Sequence, residues 1–165
     1  MLFKTLFTFG FFFFYWFCCF LGTGSDQKNL RGLRSYPQPV QDAVRNSSLA
    51  GQAPKEKSLP SILLGNLLLF TVVFTVLGLV LKGPLALTSF HAAFLYFLVL
   101  GEGLGLFDLV VIDLLWWRNT PRIRFSFLPE KEPYQDPAKH IGSFVRGIPL
   151  FLAAALSAAW LVTRF

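Results

Sequence analysis

The chain has 165 residues, of which 54% are hydrophobic and only 15% are charged. Ordinary soluble domains carry about 25% charged residues, so this composition excludes a typical soluble protein and favours a membrane protein. The formal net charge is +6, but the basic residues flank apolar runs and no groove-reading motif accompanies them. We therefore expect no nucleic-acid partner.

Four apolar runs are long enough to cross a hydrocarbon core of about 30 Å. The first is dominated by the aromatic stretch Phe11–Phe17. In chain order, the runs cover residues 2–21, 62–81, 85–117 and 144–162. This pattern predicts an all-α, polytopic transmembrane protein with four spans.

The first run has a second interpretation. Lys4, the apolar stretch after it and the small residues at 22–24 also resemble a secretory signal peptide. If residues 1–22 are cleaved or accessory, a three-span membrane unit remains over residues 60–165.

Two polar segments separate these runs. The first, residues 23–59, is rich in Ser, Pro, Gln, Gly and charge, and it predicts a flexible basic linker with a short helix near Val40–Arg45. In the second, residues 118–143, apolar and polar residues alternate over 123–127. A period of two is typical of an extended piece lying on a membrane surface or on a partner.

The basic residues also predict an orientation. The linker carries six Lys or Arg, and the stretch from Arg118 to Arg146 carries six more. Only Lys4, Lys82 and Arg164 lie at the other ends of the four runs. The positive-inside bias therefore predicts a prokaryotic-type cytoplasmic membrane, with both polar segments in the cytoplasm and both termini outside.

Three carboxylates lie inside the third run, where ionisable groups are costly and usually functional. Residues eleven apart are three helical turns along, so His91, Glu102 and Asp113 are predicted to share one stripe. Asp108 points roughly 140° away from Asp113 on an α-helix. All four are candidates for transport or ion pairing. Glu102 is the strongest of them because long apolar stretches flank it on both sides.

Other residues suit anchoring and packing. Asp113 is expected to pair with Arg118 or Arg122 at the membrane surface. The candidates for interface anchoring or lipid-headgroup contact are Trp116, Trp117, Arg118, Arg122 and Arg124. Small residues four apart favour close helix packing, and these pairs are Gly101 with Gly105 and Ala154 with Ala158.

The sequence contains no nucleophile elbow, P-loop, zinc motif or other metal-ligand spacing, so we expect no cofactor or metal and favour a non-enzymatic function. It predicts a subunit or scaffold of a membrane complex. The partners would be the lipid bilayer and other membrane subunits or further copies, and the basic-aromatic segment 118–143 would be presented in the cytoplasm. The alternative is a proton- or cation-coupled transport component that uses Glu102 with a His91/Asp113 stripe. A lipid-modifying enzyme ranks third.

Overall fold

A computed structural model describes residues 2–55 and 57–165 of the chain. Those residues form helices and turns without a strand, and one isolated bridge joins Phe125 to Leu128. The α-helices are α1 (Leu2–Leu21), α2 (Asp26–Arg31), α3 (Gln38–Arg45), α4 (Leu59–Val80), α5 (Phe90–Phe107) and α6 (Ala138–Arg164). A π-helix, Asp108–Trp117, follows α5. Short 3-10 helices cover Leu33–Ser35, Ala50–Gln52, Pro121–Ile123 and Glu132–Tyr134.

Four helical stretches are long and apolar enough to cross a membrane. They are Leu2–Leu21, Leu59–Val80, Phe90–Trp117 and Glu132–Arg164. The all-α fold with four such stretches is confirmed, because uninterrupted apolar runs of this length form helices that satisfy their own backbone hydrogen bonds.

The start of α4 follows from local sequence. The hydroxyl of Ser58 accepts a hydrogen bond from the amide of Ser61 at 3.4 Å and caps the helix. Pro60 lies in the first turn, where its missing N–H removes no helical hydrogen bond.

The start of α5 differs from the sequence prediction. The third run was expected to begin at Leu85, whereas the helix begins at Phe90. Pro84 lies in a turn that continues to Ala86, whose φ is +48°. The hydroxyl of Ser89 then accepts a hydrogen bond from the amide of Ala92 at 3.2 Å. This turn and cap delay the helix, and Leu85 is buried in the core instead.

The chain divides into two compact units. The first unit comprises the chain as far as Phe12 together with Lys57–Leu106 and Val145–Phe165. The second unit comprises the chain from Phe13 through the short helices of the first polar segment, together with Phe107–Phe144.

The core of the first unit is apolar and depends on small residues. A Cβ atom added to Gly78 of α4 would lie 2.5 Å from the side chain of Val162 and 2.7 Å from that of Phe97. These contacts show that α4, α5 and α6 pack closely because glycine leaves room for the larger side chains. Fully buried alanines of α6 complete this core, namely Ala154, Ala155, Ala158 and Ala159.

In the second unit, the segment expected to be a flexible linker is instead helical and packed. Besides α2, two 3-10 helices and α3, it supplies four residues to a hydrophobic core, namely Leu30, Tyr36, Val40 and Val44. The other members of that core come from the second polar segment and the residue before it, namely Trp117, Ile123, Phe125 and Tyr134. Burial of these side chains gives both polar segments a defined structure.

Hydrogen bonds from side chains join the two polar segments. The amide of Asn29 donates to the carbonyl of Arg122 at 3.1 Å, and the hydroxyl of Tyr36 donates to the carbonyl of Ile123 at 2.9 Å. The carboxylate of Asp26 accepts a hydrogen bond from the amide of Ser126 at 2.9 Å. These contacts satisfy irregular backbone that has no helical partners of its own.

The stretch 123–127 is therefore not the predicted extended piece. Ile123 ends a 3-10 helix, and both Ile123 and Phe125 are fully buried. Phe127 is exposed. The alternation of apolar and polar residues reflects burial in this chain's own core.

Candidate functional site

Polar side chains from three helices meet in the second unit, where His140 is buried and the others are half-buried. Nδ1 of His140, in the first turn of α6, lies 2.9 Å from Oδ2 of Asp113 in the π-helix. The hydroxyl of Tyr15 in α1 interacts with the carboxyl group of Asp108. The His140 side chain is only 5% exposed and that of Asp113 is 15% exposed. We call Tyr15, Asp108, Asp113 and His140 the polar cluster.

The π-helix explains why the two aspartates belong to one cluster. Its hydrogen bonds run between residues five apart, as from the amide of Arg118 to the carbonyl of Asp113 at 3.2 Å. A π turn contains more residues than an α turn, so residues five apart lie closer to one face. The prediction that Asp108 and Asp113 point roughly 140° apart assumed α-helical geometry, which does not hold in the π-helix.

The partner of Asp113 also differs from expectation. The sequence suggested Arg118 or Arg122 as its partner, but the pair forms with His140. The imidazole packs edge-on against Trp117, with ring centroids 4.8 Å apart. The second ring nitrogen of His140, Nε2, is buried and makes no hydrogen bond within the described residues.

This arrangement is suited to handling protons. An imidazole and a carboxyl group can each accept and release a proton, and the cluster contains one imidazole and two carboxyl groups. Among residues 2–55 and 57–165, no group of three or more His, Cys, Asp or Glu has a geometry that could hold a metal ion.

Glu102 lies on α5 in the first unit, outside the polar cluster. Its side chain is half-buried, and within the part of the chain that the structure describes it has no hydrogen bond or ion pair. It shares one side of α5 with three exposed residues, Leu95 (43%), Val99 (68%) and Leu106 (54%). The spacings of four, three and four residues place all of them on one helical face. We call this set the Glu102 face.

The prediction that His91, Glu102 and Asp113 form one stripe assumed a continuous α-helix. The α-helix ends at Phe107, and residues 108–117 are π-helical. His91 is exposed at the second position of α5. In the structure, Asp113 pairs with His140. Glu102 has no partner among the described residues.

The two tryptophans predicted as interface anchors take part in aromatic packing inside the second unit. Trp117 is buried against Tyr36, with centroids 4.8 Å apart. Trp116 is half-buried and meets Trp16 edge-on at 6.1 Å. Trp117 in particular offers little surface to lipid headgroups.

The guanidinium of Arg122 is similarly used within the chain. One Nη atom donates to the carbonyl of Phe20 at 3.3 Å and to that of Thr23 at 3.1 Å, and the group stacks on the Phe20 ring at 3.8 Å. Arg122 thus satisfies carbonyls at the C-terminal end of α1. Arg124 donates to the carbonyl of Pro129 at 3.0 Å, and Arg118 is half-buried.

The residues predicted to pack helices lie in or beside the core of the first unit. A Cβ atom on Gly101 would lie 2.9 Å from the ring of Phe151, so glycine permits this contact between α5 and α6. Ala154 and Ala158 are fully buried, whereas Gly105 is half-buried.

Sequence reasoning missed two members of the polar cluster. Tyr15 is hidden in a run of seven consecutive aromatic residues, which gives no sign of a polar role. His140 lies within segment 118–143, which was predicted to be cytoplasmic, and it falls three residues after Pro137, in the first turn of α6. A histidine at the start of an apolar helix was the available signal.

No protein-family model, curated protein or solved structure matches the chain. The described residues place the chain among all-helical proteins with four helices long and apolar enough to cross a membrane. The polar cluster and the Glu102 face are the two features of this chain from which a function is argued.

Proposed function

We propose that this protein is a multi-pass membrane protein that serves as a subunit or scaffold of a membrane complex. Both polar segments would lie in the cytoplasm and both termini outside. The observation that carries the proposal is the Glu102 face, because its central carboxyl group has no partner among the described residues.

The position of Glu102 makes a lipid-facing location unfavourable. Twelve residues precede it and fifteen follow it in the stretch Phe90–Trp117, so it would lie near mid-membrane. Charged residues at the centre of a transmembrane helix cost about 2.5–3.5 kcal/mol on insertion scales. A neighbouring helix that supplies a hydrogen-bond partner reduces this cost, and such contacts contribute about 0.6–1.7 kcal/mol.

The pattern around Glu102 also suits a helix partner. Spacings of four and three residues are those of a seam along which two helices pack side by side. Leu95, Val99 and Leu106 supply the apolar contacts of this seam, and Glu102 supplies its polar centre.

The cytoplasmic surface offered to a partner is narrower than the sequence suggested. Ile123 and Phe125 are buried in the second unit, so they are excluded as docking residues. The surface that segment 118–143 retains includes Phe127 and the charged residues Glu130, Lys131 and Glu132.

The experiment compares Glu102→Leu with Glu102→Gln by light scattering of the protein in mild detergent. We expect Glu102→Leu to lower the assembled fraction by about tenfold, which corresponds to about 1.4 kcal/mol, because the polar contact is lost. Glu102→Gln keeps a hydrogen-bonding group and should assemble like the unmodified chain.

Val72→Leu, at an exposed position of α4, is the matched control and should leave assembly unchanged. A Glu102→Leu variant with the same assembled fraction as the unmodified protein would contradict the proposal. So would a strictly monomeric unmodified protein that retains no stoichiometric partner.

The second candidate function is a proton- or cation-coupled transport component. The unpartnered carboxyl of Glu102 near mid-membrane favours it, because intramembrane acids often lie on ion pathways. Flux into proteoliposomes should then fall at least tenfold in Glu102→Gln. Unchanged flux in a variant that still assembles excludes transport through Glu102.

A further inference from the structure

We propose that a cavity in the second unit binds a phosphate group, carried either by an anionic lipid headgroup or by a soluble phosphate compound. The cavity has a volume of about 570 Å³ and is lined by residues 24–27 together with Pro121, Arg122, Arg124 and Ser126. Small-molecule sites span about 300–1,000 Å³, so a ligand of headgroup size fits. We call it the arginine cavity. All of its residues belong to the second unit, and the inference does not depend on the assembly proposed above.

The first support is that the guanidinium groups lining the arginine cavity are only partly used within the chain. Arg122 donates to two carbonyls through its Nη2 atom, and Arg124 donates to the carbonyl of Pro129 through its Nη1 atom. The other Nη atom of each arginine has no hydrogen-bond acceptor among the described residues, and neither of these atoms is buried. Each arginine therefore retains accessible N–H groups for an acceptor from outside the chain.

The second support is the charge of the lining. Within the part of the chain that the structure describes, no carboxylate forms an ion pair with Arg122 or Arg124. Asp26, the acidic residue of the lining, instead accepts a hydrogen bond from the amide of Ser126 at 2.9 Å and another from its hydroxyl. The lining carries two positive charges and one negative charge, so it attracts an anion rather than a cation.

The third support is that the backbone carrying the two arginines is held in place before any ligand binds. The carbonyl of Arg122 accepts hydrogen bonds from the amide of Gly24 at 3.0 Å and from the side chain of Asn29 at 3.1 Å. Ile123, between the two arginines, is fully buried, and its carbonyl accepts the hydrogen bond from Tyr36. A pre-formed site loses less conformational freedom on binding, which favours affinity.

The chemistry and position of the arginine cavity identify the anion. The planar fork of arginine matches the oxygens of phosphate or carboxylate, and phosphate is the anion that lipid headgroups present. The lining begins three residues after Leu21 and again four residues after Trp117, where two of the stretches long and apolar enough to cross a membrane end. Residues that directly follow such a stretch lie at the level of the headgroups. Only this choice of lipid as a source rests on the proposed membrane location.

The experiment measures binding to the full chain in a phosphate-free detergent by isothermal titration calorimetry. The probes are dihexanoyl phosphatidylglycerol, a short-chain anionic phospholipid, and inorganic phosphate, with acetate at the same ionic strength as the anion control. We expect Arg124→Gln to weaken binding of the phosphate probe about tenfold or more, because a charge-assisted hydrogen bond is lost. Arg124 is chosen because Arg122 also holds the end of α1.

Gln27→Glu is a second variant, which adds a negative charge at an exposed position of the lining without changing the size of the side chain. It should also weaken binding, and it decides the question if Arg124→Gln does not fold. The matched control is Arg31→Gln, at an exposed position of α2 outside the arginine cavity. This control lowers the net charge by the same amount and should change the affinity by less than about twofold.

Binding of the phospholipid without binding of inorganic phosphate supports the proposal with lipid as the source, and comparable binding of both supports it with a soluble source. The proposal is overturned if neither probe binds or if acetate binds as tightly. It is also overturned if Arg124→Gln and Gln27→Glu leave the affinity unchanged, or if Arg31→Gln weakens binding as much as they do. None of these measurements follows assembly, so their failure is distinguishable from a failure of the Glu102 face.

Discussion

The two units bury different kinds of side chain. In the first unit, the buried core consists of Phe, Leu, Val and Ala from α4, α5, α6 and the turn before α5. In the second unit, tyrosines and a tryptophan are buried together with polar residues, namely Asn29, Gln41 and His140.

The difference follows from the backbone that each unit contains. Long helices satisfy their own N–H and C=O groups, so apolar side chains are sufficient to pack α4, α5 and α6. The second unit contains irregular segments whose backbone groups need other partners, and its buried side chains supply them. Gln41, for example, donates to the carbonyl of Tyr36 at 2.8 Å. The stability of the first unit should therefore be most sensitive to substitutions that shorten buried apolar side chains. The stability of the second unit should be most sensitive to substitutions that remove buried hydrogen bonds.

The largest effect should come from a cavity in the first unit. Phe74 is fully buried and stacks on Phe97, with ring centroids 5.5 Å apart. We expect Phe74→Ala to lower the free energy of unfolding by about 3–5 kcal/mol, because the side chain's contacts are lost and the cavity does not fully collapse. Reversible unfolding in mixed detergent micelles, followed by circular dichroism, measures this change.

The matched control is Val76→Ala, two residues further along α4 at an exposed position. It should change the free energy of unfolding by no more than about 0.5 kcal/mol. Equal losses in the two variants would mean that the core around Phe74 does not determine the stability of this unit.

The same contrast explains how much of the structure could be predicted from sequence. The long helices follow from hydropathy, and the start of α4 follows from Ser58 and Pro60, because these signals act over a few residues. The structure of segment 23–55 could not be predicted in this way. Its few apolar residues, such as Leu30 and Val44, become a core only when they meet residues near 117–134, which are far away along the chain.

The candidate site was predictable only in part. Asp108 and Asp113 were identified as unusual because acids in apolar runs are conspicuous. Their common location was not predicted, because it requires a π-helix for which the sequence gave no local signal. The partner His140 comes from a different helix, so its pairing with Asp113 is a result of tertiary packing.

An intermediate effect is expected from one hydroxyl group in the second unit. The buried hydroxyl of Tyr134 accepts a hydrogen bond from the amide of Phe125 at 3.0 Å and donates one to the carbonyl of Leu128 at 2.9 Å. Tyr134→Phe keeps the ring and leaves both backbone groups unpaired, so we expect a loss of about 2–3 kcal/mol. Hydrogen exchange of the Phe125 amide should accelerate by about thirtyfold or more.

Phe127→Leu is the control because Phe127 is exposed two residues away from Phe125. It should leave the exchange of the Phe125 amide within about twofold of the unmodified chain. If Tyr134→Phe also leaves the exchange of the Phe125 amide within about twofold, the stability of the second unit does not depend on its buried hydrogen bonds. The contrast between the two units would then be wrong.

The smallest effect concerns the pH dependence of the second unit. Burial raises the pKa of the Tyr36 hydroxyl, and the nearby Tyr134 and Asp26 raise this pKa further. The folded protein therefore keeps this phenol neutral, whereas the unfolded chain ionises it above its ordinary pKa of about 10. The stability that Tyr36 contributes is fully present below about pH 10 and is lost progressively as the pH rises above it.

Tyr36→Phe tests whether the stability contributed by Tyr36 is lost as the pH rises. At neutral pH the variant should lose about 0.5–1.5 kcal/mol, because the hydrogen bond to the carbonyl of Ile123 is absent. Between about pH 9 and pH 11, its melting temperature should fall less steeply than that of the unmodified protein, since one group that ionises only on unfolding has been removed. Parallel curves for the two proteins over this range would show that Tyr36 is not held neutral by the fold. They would also remove this contrast with the first unit, whose buried core contains no ionisable side chain among the described residues.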